Sequence, residues 1–415
     1  MKKKIIHKGY KFRLYLNEEQ KTFIHKSIGS CRFVYNYFLN VKIQFYFNHI
    51  HDIKKNLSFI ETEHLLVELK NKTEFNWLKE TNAQSLQFSL RNLDTAYTRF
   101  FKKTSNFPVF KKKRNNGSFT IPQGFKIYNH NNKFCFIKIP KLKSLLKFRK
   151  HNNIKGKILY CTISKTPTDK YFITLTVKEE IDVKENRQLS AVGLDMGIKS
   201  FCVTSDNEEI LNDKNIKRKE RRRKIKQRKI AKSKKGGNNG KKLVKQLAVK
   251  HEKETNIKKN FLHQVSHYLV ENQDIIIIED LNIKGMIKNH KLAKAIIYQS
   301  WGEFFRQLEY KSNWNNKIFY KIGRWFPSSK KCSKCGSLKS DLKLSDRLYK
   351  CKCGFKIDRD YNASLNIRNL GLLDLKITTV RTTESHVSGR VKTIGFEKSI
   401  NSNERKNLSN KDSSR

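Results

Sequence analysis

The chain has 415 residues, of which 89 are Lys or Arg and 37 are Asp or Glu, so its net charge at pH 7 is +52. This length exceeds one ordinary core, and we expect about three structural units. So many like charges repel one another, and we expect a polyanionic partner to offset them. The composition therefore predicts binding to nucleic acid. A coding bias toward Lys, Asn and Ile would enrich lysine, but it would not keep the acids so scarce.

No segment of the sequence predicts export or membrane insertion. The N-terminal stretch MKKKIIHKGYKF is basic but lacks the apolar core of a signal peptide. No apolar run approaches the ~20 residues of a membrane span. We therefore expect an intracellular protein with no membrane partner. In such a reducing compartment, clustered cysteines indicate a metal site rather than disulfides.

The first part of the chain combines strand and helix patterns. Residues 9–16 alternate in hydropathy and predict a strand, whereas residues 18–105 have mostly helical periodicity. Three further strands are predicted by the stretches FCFIKI, GKILYCTIS and YFITLTV. We interpret residues 1–17 and 106–182 as a small β-barrel into which the helical residues are inserted.

A second pattern begins near Ser190. The stretch AVGLDMGIKSFCVTSDNEEIL predicts three strands joined by tight turns, and 274-DIIIIEDLN-282 predicts a strand buried on both faces. A long basic helical region lies between them. In it, 14 of the 22 residues from 214 to 235 are Lys or Arg, and 236-GGNNG-240 is a break. Strands and helices in this order predict an α/β unit.

The last third of the chain continues the α/β pattern and then loses it. A helix is predicted near residues 295–313, a strand near 318–325 and a final helix near Tyr361. From about residue 372 the sequence turns polar, and residues 372–415 are expected to be largely disordered.

Three acids stand at the ends of predicted elements. Asp195 ends the strand AVGLD, Glu279 ends the strand IIIIE, and Asp360 opens the helical stretch DYNASLNIRN. Asp195 alone could be a turn residue and Asp360 alone a helix N-cap. Glu279 is harder to explain structurally, because a buried strand gains nothing from a terminal carboxylate without a partner. Converging acids would repel one another unless Mg²⁺ or Mn²⁺ relieved them, so together with the basic charge they suggest a nuclease.

The acid next to Glu279 has a weaker claim to the site. Asp280 should point to the other side of the strand, and we expect it to cap the turn at 281-LNIKG-285.

Four of the eight cysteines form a cluster, with the spacing C-x2-C, 15 residues, C-x-C. Four thiolates suit a structural, tetrahedral Zn²⁺ site, and a glycine follows each pair as a tight knuckle needs. Unliganded cysteines are the alternative. The predicted ligands are Cys332, Cys335, Cys351 and Cys353.

Two basic stretches are candidates for nucleic-acid contact. The run 217-KRKERRRKIKQRK-229 is dense enough to grip phosphates, although a solvated helix face is the alternative. Its candidate residues are Arg218, Arg221, Arg222, Arg223, Lys226 and Arg228. In the second stretch, Lys111, Lys112, Lys113 and Arg114 stand among Phe107, Phe110 and Phe119, and they predict contact with RNA unless the aromatics belong to the core.

Several motifs together resemble the TnpB (OrfB) proteins of insertion sequences. They are GLDMGIKSF, IIIIEDLNIKGM, FPSSKKCSKCG and DRDYNASLNI, with KGYKFRLYLNEEQ, SCRFVYNYFLN and NFPVFKKKRNNGSFT before them. The resemblance covers roughly residues 8–370 and follows the family's order. TnpB proteins are RNA-guided DNA endonucleases, similar to compact type V CRISPR effectors.

The resemblance implies a multidomain α+β architecture. The β-barrel would be wedge-like, the helical insertion would serve recognition, and an RNase H-like (RuvC) α/β nuclease domain with an inserted zinc finger would follow. The implied bounds are 1–17 and 106–182 for the barrel, 18–105 for the recognition insertion, 188–330 and 356–371 for the nuclease domain, and 331–355 for the zinc finger.

The resemblance also implies the site residues. An acid on the first strand, another on the fourth and a third on a late helix is the RuvC order, which makes Asp195, Glu279 and Asp360 the catalytic ligands of Mg²⁺ or Mn²⁺. The family's catalytic acid stands two residues before Asn362, so Asp360 is chosen and Asp358 is interpreted as a helix-start carboxylate. The C-x-C pair departs from the C-x-x-C of many members. Its knuckle is tighter, so we expect either one imperfect zinc ligand or a weaker zinc site.

The implied partners are a guide RNA from the transposon end and double-stranded target DNA. The resemblance also implies a cytoplasmic, nucleoid-associated protein of a prokaryotic cell. One alternative is an RNA-guided DNA-binding regulator that does not cut, against which the intact acids argue. Another is an accessory transposition protein that binds DNA. The pattern 49-HIH-51 occurs in single-strand transposases, but here it lies between helical segments rather than on a strand. The oligomeric state, the guide and the target-adjacent motif cannot be read from the sequence.

Overall fold

A computed structural model of the chain describes residues 3–49, 56–113, 117–131, 133–182, 189–234, 237–343, 345–377 and 392–394, with the backbone alone at 214–219 and 392. The chain divides into two compact units, Met1–Asp182 and Val183–Arg415. Each unit has its own apolar core. None of the described helices is both long and apolar enough to cross a membrane.

The first unit is built on a seven-stranded sheet in which every pair of neighbours is antiparallel. Its strands are β1 (Lys3–Tyr15), β2 (Gly117–Ile121), β3 (Lys126–Asn129), β4 (Phe134–Lys138), β5 (Leu146–Arg149), β6 (Lys157–Lys165) and β7 (Tyr171–Asp182). They follow the order β2-β6-β7-β1-β5-β4-β3, so β2 and β3 are the edges. This antiparallel sheet occupies the residues for which the sequence predicts a barrel.

A helical insertion follows the first strand, as the sequence predicts. It comprises α1 (Glu18–Asn48), α2 (Phe59–Asn71), a 3-10 helix (Thr73–Glu80) and α3 (Ala83–Phe101). Helix α1 begins with a capping box, in which Asn17 Oδ1 accepts from the Gln20 N–H at 2.8 Å and Gln20 Oε1 accepts from the Asn17 N–H at 3.2 Å. Phe12 of β1, Phe38 of α1 and Phe148 of β5 are fully buried in one core.

The second unit contains a six-stranded mixed sheet and a two-stranded hairpin. The sheet strands are β8 (Ala191–Met196), β9 (Cys202–Thr204), β10 (Glu208–Ile210), β11 (Ile275–Glu279), β12 (Ile318–Ile322) and β15 (Lys392–Ile394), in the order β12-β11-β8-β9-β10-β15. The hairpin pairs β13 (Leu348–Lys350) with β14 (Lys356–Asp358). The helices are α4 (Lys214–Ala231), α5 (Asn238–Asn272), α6 (Ile283–Met286), α7 (His290–Gln299), α8 (Trp301–Trp314) and α9 (Arg359–Asp374).

The isoleucine strand β11 is buried on both faces, which confirms the prediction from its composition. Ile276 and Ile278 belong to the cluster that includes Phe261 of α5 and Phe304 of α8. Ile275 and Ile277, which alternate with them, belong to a second cluster that contains Ile367 of α9. Helices on both faces of a parallel strand pair therefore explain why the run carries no polar residue before its end.

The structure differs from the sequence prediction between residues 290 and 314. The single predicted helix is two helices, because Ser300 has φ 58° and ψ 35° and ends α7 in the left-handed region. Ser300 itself is neither Gly nor Pro, and Gly302, two residues further on, lies within α8. Within residues 372–415, Lys392–Ile394 form a short strand parallel to β10, and residues 378–391 and 395–415 lie outside the described part of the chain.

Candidate functional site

Two of the predicted acids stand at the same edge of the six-stranded sheet. Strands β8 and β11 are parallel neighbours, and their register pairs Leu194 with Ile278. The next residues along the two strands are Asp195 and Glu279, so both acids lie at the carboxyl ends of adjacent strands. The carboxyl ends of parallel strands are where open α/β sheets bind their ligands.

Helix α9 packs closely on β8 because a glycine faces it. A Cβ atom built on Gly193 would collide with the backbone oxygen of Ser364, so only glycine allows this approach. The helix begins at Arg359. Its close packing therefore brings Asp360, in the first turn, toward the strand end that carries Asp195.

Gly193→Ala is expected to lower the free energy of unfolding by about 1–3 kcal/mol, the usual cost of extra volume in a packed site. The added methyl group would meet backbone atoms that cannot rotate aside. Denaturant unfolding of the full chain, followed by circular dichroism, measures the change. Gly323→Ala is the matched control, since a Cβ there meets nothing within 4 Å. Equal midpoints for the two variants would contradict the close packing of α9.

Like charges surround Asp195. Burial raises the pKa of its carboxyl well above the ordinary value, and the carboxylates of Glu279 and Asp360 raise that pKa further. Burial also raises the pKa of Glu279, whereas a 2.5 Å hydrogen bond from the Ser328 hydroxyl to its Oε1 favours the ionised form. Asp195 thus lies within electrostatic reach of the Glu279 and Asp360 carboxylates, and a cation beside it would relieve their repulsion.

The two acids at the start of α9 have different contacts. Asp358 Oδ1 accepts from the backbone N–H groups of Asp360 and Tyr361, at 2.9 and 3.0 Å, and so caps the helix. This confirms the interpretation of Asp358 as a helix-start carboxylate. The Asp360 carboxylate instead pairs with two arginines, since Arg359 Nη2 lies 3.0 Å from its Oδ1 and Arg347 Nη1 lies 3.5 Å from its Oδ2.

Sequence reasoning did not identify Ser328, Arg347 or Arg359 as neighbours of the acids. Ser328 is 49 residues from Glu279 in sequence, and Arg347 comes from the segment that precedes β13. A lone serine or arginine carries no sequence signal of its partner when that partner is distant along the chain. Only the FPSSKKC motif, which contains Ser328, could have drawn attention to one of them.

Asp280 does not cap the turn after β11, so that expectation was wrong. Its Oδ2 accepts a 2.6 Å hydrogen bond from Arg324 Nη2, and its backbone oxygen accepts from Arg324 Nε at 3.1 Å. The turn is capped by Asn282, whose Oδ1 accepts from the Gly285 N–H at 3.0 Å. Arg324 lies just beyond the end of β12, and its charged guanidinium binds the Asp280 carboxylate more strongly than the neutral N–H groups of the turn would.

The four clustered cysteines meet around the β13–β14 hairpin. The sulfur atoms of Cys332, Cys335, Cys351 and Cys353 all lie within 4.8 Å of one another, and no other group of at least three His, Cys, Asp or Glu ligands is as tight in the described part of the chain. The three carboxylates are therefore more widely spread than the thiols. Such a cysteine set could hold a metal ion such as zinc.

Protonation in the cysteine cluster favours a cation there. A hydrogen bond with the Ser337 hydroxyl is the main factor that lowers the pKa of Cys351 to about 6, and the same hydroxyl lowers the pKa of Cys335. The Phe355 backbone N–H favours the thiolate of Cys353, but the crowded sulfur atoms outweigh it and raise that pKa to about 11. Crowded thiolates resist a further negative charge, and a bound metal ion removes that resistance.

The cysteine loop is tied to the helix that carries Asp360. Asn362, fully buried, accepts from the Ser333 N–H at 3.0 Å and donates to the Lys331 oxygen at 2.7 Å. Asn366, one helical turn further on, donates to the backbone oxygens of Ser328 and Lys331 at 2.8 and 2.6 Å. The order of the cysteine loop is thereby coupled to the positions of Ser328 and of α9.

The candidate cations of α4 divide into two groups. Arg223 Nε pairs with Glu254 Oε2 at 3.0 Å and Lys226 Nζ donates to Gln246 at 2.6 Å, so both connect α4 to α5. Arg221, Arg222 and Arg228 are exposed. The side chain of Arg218 lies outside the described part of the structure. The exposed arginines remain available to phosphates.

The second basic stretch lies in the first unit. Lys111 Nζ lies 3.6 Å from the centre of the Tyr35 ring, a cation–π contact, whereas Lys112 and Lys113 are exposed and Arg114 lies outside the described residues. Of the interleaved aromatics, Phe119 is buried in the core, while Phe107 and Phe110 are 43% and 49% exposed.

Three family models match separate parts of the chain. A model of the OrfB proteins of IS605 elements, described as a probable transposase, matches residues 173–290, and the Cas12f1-like TNB domain matches residues 301–367. A helix-turn-helix model of the same OrfB proteins matches residues 1–50, of which the described residues 3–49 contain β1 and one long helix.

Relatives and solved structures extend the match to most of the chain. Two relatives carry the name "Putative RNA-guided DNA endonuclease". One, from Streptomyces pristinaespiralis, is 31% identical over 370 residues, or 88% of this chain and 90% of the relative. The other, InsQ of Escherichia coli K12, is 29% identical over 380 residues, or 88% and 92%. A Cas12f1 structure, solved in complex with its guide RNA and target DNA, shares the fold with a TM-score of 0.51 at 15% identity over 88% of this chain and 99% of that chain.

Proposed function

Because this chain belongs to the TnpB (OrfB) family of transposon-associated, RNA-guided DNA endonucleases, we propose that it cuts DNA at one RuvC-type site formed by Asp195, Glu279 and Asp360. The observation that carries the proposal is the meeting of acids from β8, β11 and α9, in which Asp195 is buried beside two like charges. A fold gains no stability from such a cluster, so its chemistry is the better explanation.

The carboxylates fit a divalent metal ion of the Mg²⁺ or Mn²⁺ type. They are hard oxygen donors. Burial raises the pKa of both Asp195 and Glu279, and the carboxylates of Glu279 and Asp360 raise that of Asp195 further, a repulsion that such a cation would relieve. When bound, two such ions would supply activation of water and stabilisation of the leaving oxygen of a phosphodiester.

The neighbouring side chains orient this site. The Ser328 hydroxyl donates to Glu279 Oε1 and so limits the rotation of that carboxylate. Arg359 and Arg347 hold the Asp360 carboxylate and offset its charge. The Arg347 side chain is 56% exposed, so it can also face the phosphate of a bound strand.

The remaining parts of the chain would serve the nucleic acids. A guide RNA from the transposon end would pair with one strand of double-stranded target DNA, which leaves sequence reading to base pairing. The seven-stranded sheet and its helical insertion would act as the wedge-like barrel and recognition unit that read a short adjacent DNA motif. The cysteine loop, with zinc bound, would brace α9 beside Asp360, and the exposed arginines of α4 would contact phosphates.

Simultaneous Arg221→Ala, Arg222→Ala and Arg228→Ala substitution is expected to weaken guide RNA binding and to flatten its salt dependence. The slope of log K against log salt is negative, and each lost phosphate contact reduces its magnitude by roughly 0.7–0.9. The magnitude should therefore fall by about 2 in the triple variant. Filter binding across a KCl series measures both quantities. Arg306→Ala is the control, because this arginine pairs with Glu303 on α8 at 2.7 Å. An unchanged slope in the triple variant would remove α4 from the interface.

The proposed activity is tested by plasmid cleavage with protein co-expressed with its own downstream flanking DNA. The substrate carries a matched target beside a randomised motif, and the reactions contain Mg²⁺ or EDTA. Double-strand cuts that need Mg²⁺, depend on one motif and disappear in Asp195→Ala would support the proposal. Specific DNA binding directed by a co-purifying RNA, without cutting, would favour the regulator. Strand joining at transposon ends would favour a role in transposition.

A further inference from the structure

The most exposed large apolar side chain in the described residues stands beside the acid cluster. Trp325 is 91% exposed, whereas its neighbour Phe326 packs on the cluster that contains Ile322 and Ile367. An indole carries a large apolar surface on which a flat ring can stack. Because single exposed apolar residues are common, the exposure alone assigns nothing, and the surroundings of Trp325 decide the matter.

The backbone around Trp325 is anchored on both sides. It occupies a β-turn of residues 323–326, closed by a hydrogen bond of 3.3 Å from the Phe326 N–H to the Gly323 oxygen. The preceding Arg324 is held by two hydrogen bonds to Asp280, and the following Phe326 lies against the apolar cluster. The exposed indole is therefore presented by a braced turn.

This turn lies at the end of the six-stranded sheet where Asp195 and Glu279 stand. Strand β12 ends at Ile322, which is paired in register with Glu279 of β11. Three residues beyond Trp325, the Ser328 hydroxyl donates to the Glu279 carboxylate. Residues 322–328 thus contact Glu279 at both ends, through the strand pairing of Ile322 and through the hydroxyl of Ser328. Trp325 lies midway between these two contacts.

The charges near the turn suit a nucleic-acid strand. Lys321 precedes it, Lys330 and Lys331 follow it, and the acid that contacts it, Asp280, is paired with Arg324. An aromatic platform among cations is the usual means of holding single-stranded nucleic acid, because every base has a face that can stack and every linkage has a phosphate.

We propose that Trp325 stacks on an unpaired base of the DNA strand that is cut, and so aligns the neighbouring phosphodiester with Glu279 and the other acids. This inference rests on the proposed nuclease function. It adds a contact to the base rather than to the phosphate or the metal, at a residue that ligates nothing.

The cutting experiment compares Trp325→Ala and Trp325→Phe with the native chain, each assembled with its guide RNA. Stacking on one aromatic side chain changes strand affinity by about 10- to 100-fold, so Trp325→Ala should slow single-turnover cutting at subsaturating DNA by about that factor. Trp325→Phe, which keeps a stacking ring, should stay within a few-fold of native. The matched control is Leu373→Ala, an apolar residue 73% exposed near the far end of α9 from Asp360.

A second readout reports the stacking itself. Every protein in this measurement also carries Asp195→Asn to prevent cutting, and 2-aminopurine is introduced one position at a time in the strand to be cut. At one position near the cut, the chain with Trp325 should quench the 2-aminopurine emission, because the base stacks on the indole. The Trp325→Ala substitution should restore the emission at that position, whereas Trp325→Phe, which keeps a ring, should not.

Each outcome bears on one of the two proposals. Slower cutting by Trp325→Ala with recovered 2-aminopurine emission supports the stacking role. Native cutting by Trp325→Ala overturns this inference and leaves the nuclease function intact. Slower cutting with no change of emission at any position also overturns it, because it indicates a structural role. If the native chain cuts no DNA with any divalent cation, the nuclease function fails and this inference fails with it.

Discussion

Asp195→Asn is expected to lower Mg²⁺-dependent DNA cutting by more than about 100-fold without lowering the thermal stability of the chain in EDTA. Loss of a side chain that only supports a metal ligand lowers metal affinity or activity by about 10- to 100-fold. Loss of the ligand itself should lower activity by more. Stability should not fall, because the raised pKa of Asp195 means that its charge is unfavourable in the folded state at neutral pH. Asparagine keeps the shape and removes that charge.

The measurement pairs plasmid cutting with melting curves in EDTA and in Mg²⁺. Mg²⁺ should raise the melting temperature of the native chain and not that of the Asp195→Asn variant. Asp358→Asn is the matched control, since asparagine caps a helix as well as aspartate does and Asp358 touches the backbone of α9. Full cutting by Asp195→Asn would refute the catalytic role of Asp195. Lost cutting by Asp358→Asn with an intact fold would refute the choice of Asp360 over Asp358 as the catalytic acid.

Cys351→Ser is expected to reduce bound zinc from about one ion per chain toward none and to lower DNA cutting at least tenfold. In the described part of the chain, the hydrogen bonds of the four sulfur atoms stay within the cysteine loop. It acts through Ser333 and Lys331, which bond to Asn362 of α9, and through Asn366, which holds the backbone at Ser328. Loss of the metal should loosen these bonds and misplace Asp360 and Ser328.

Elemental analysis of the purified chain measures the zinc, and plasmid cutting with intact guide RNA measures the activity. Cys135→Ser is the control, because Cys135 is buried in the first unit and its Sγ lies 3.3 Å from Asn129 Oδ1, where a hydroxyl can take its place. It should keep both zinc and cutting. A native chain with far less than one zinc ion, or a Cys351→Ser variant that cuts normally, would contradict the bracing role.

Much of the local structure follows from residue patterns that act over short distances. The four isoleucines before Glu279 are buried on both faces, as their composition predicts. Asp358 caps α9, in agreement with the helix-start role that the family resemblance left to it. The sulfur atoms of the C-x2-C and C-x-C pairs come together. Each pair needs only a tight turn, and one hairpin brings the two pairs close. Such features depend on spacing within a few residues, and the sequence states that spacing directly.

The basic surfaces were only partly predictable. Charge density marked α4, but it could not separate Arg223, which pairs with Glu254, from Arg221, which is exposed. Helical periodicity ran through Ser300, which takes the left-handed conformation although it is neither Gly nor Pro. The pairing of Arg223 depends on which side chains a neighbouring helix offers, and residues far apart in the chain supply those.

By itself the sequence determined the strongly basic character, the acids at element ends, the cysteine spacing and the resemblance to a family. Only the tertiary structure decided that β8 and β11 are adjacent in register, that Gly193 admits α9, and that Ser328 and Arg347 reach the carboxylates. The physical reason is one of range. Local propensity and spacing act within a few residues, whereas a charge cluster is made by sheet pairing and packing between segments that the chain separates by tens of residues.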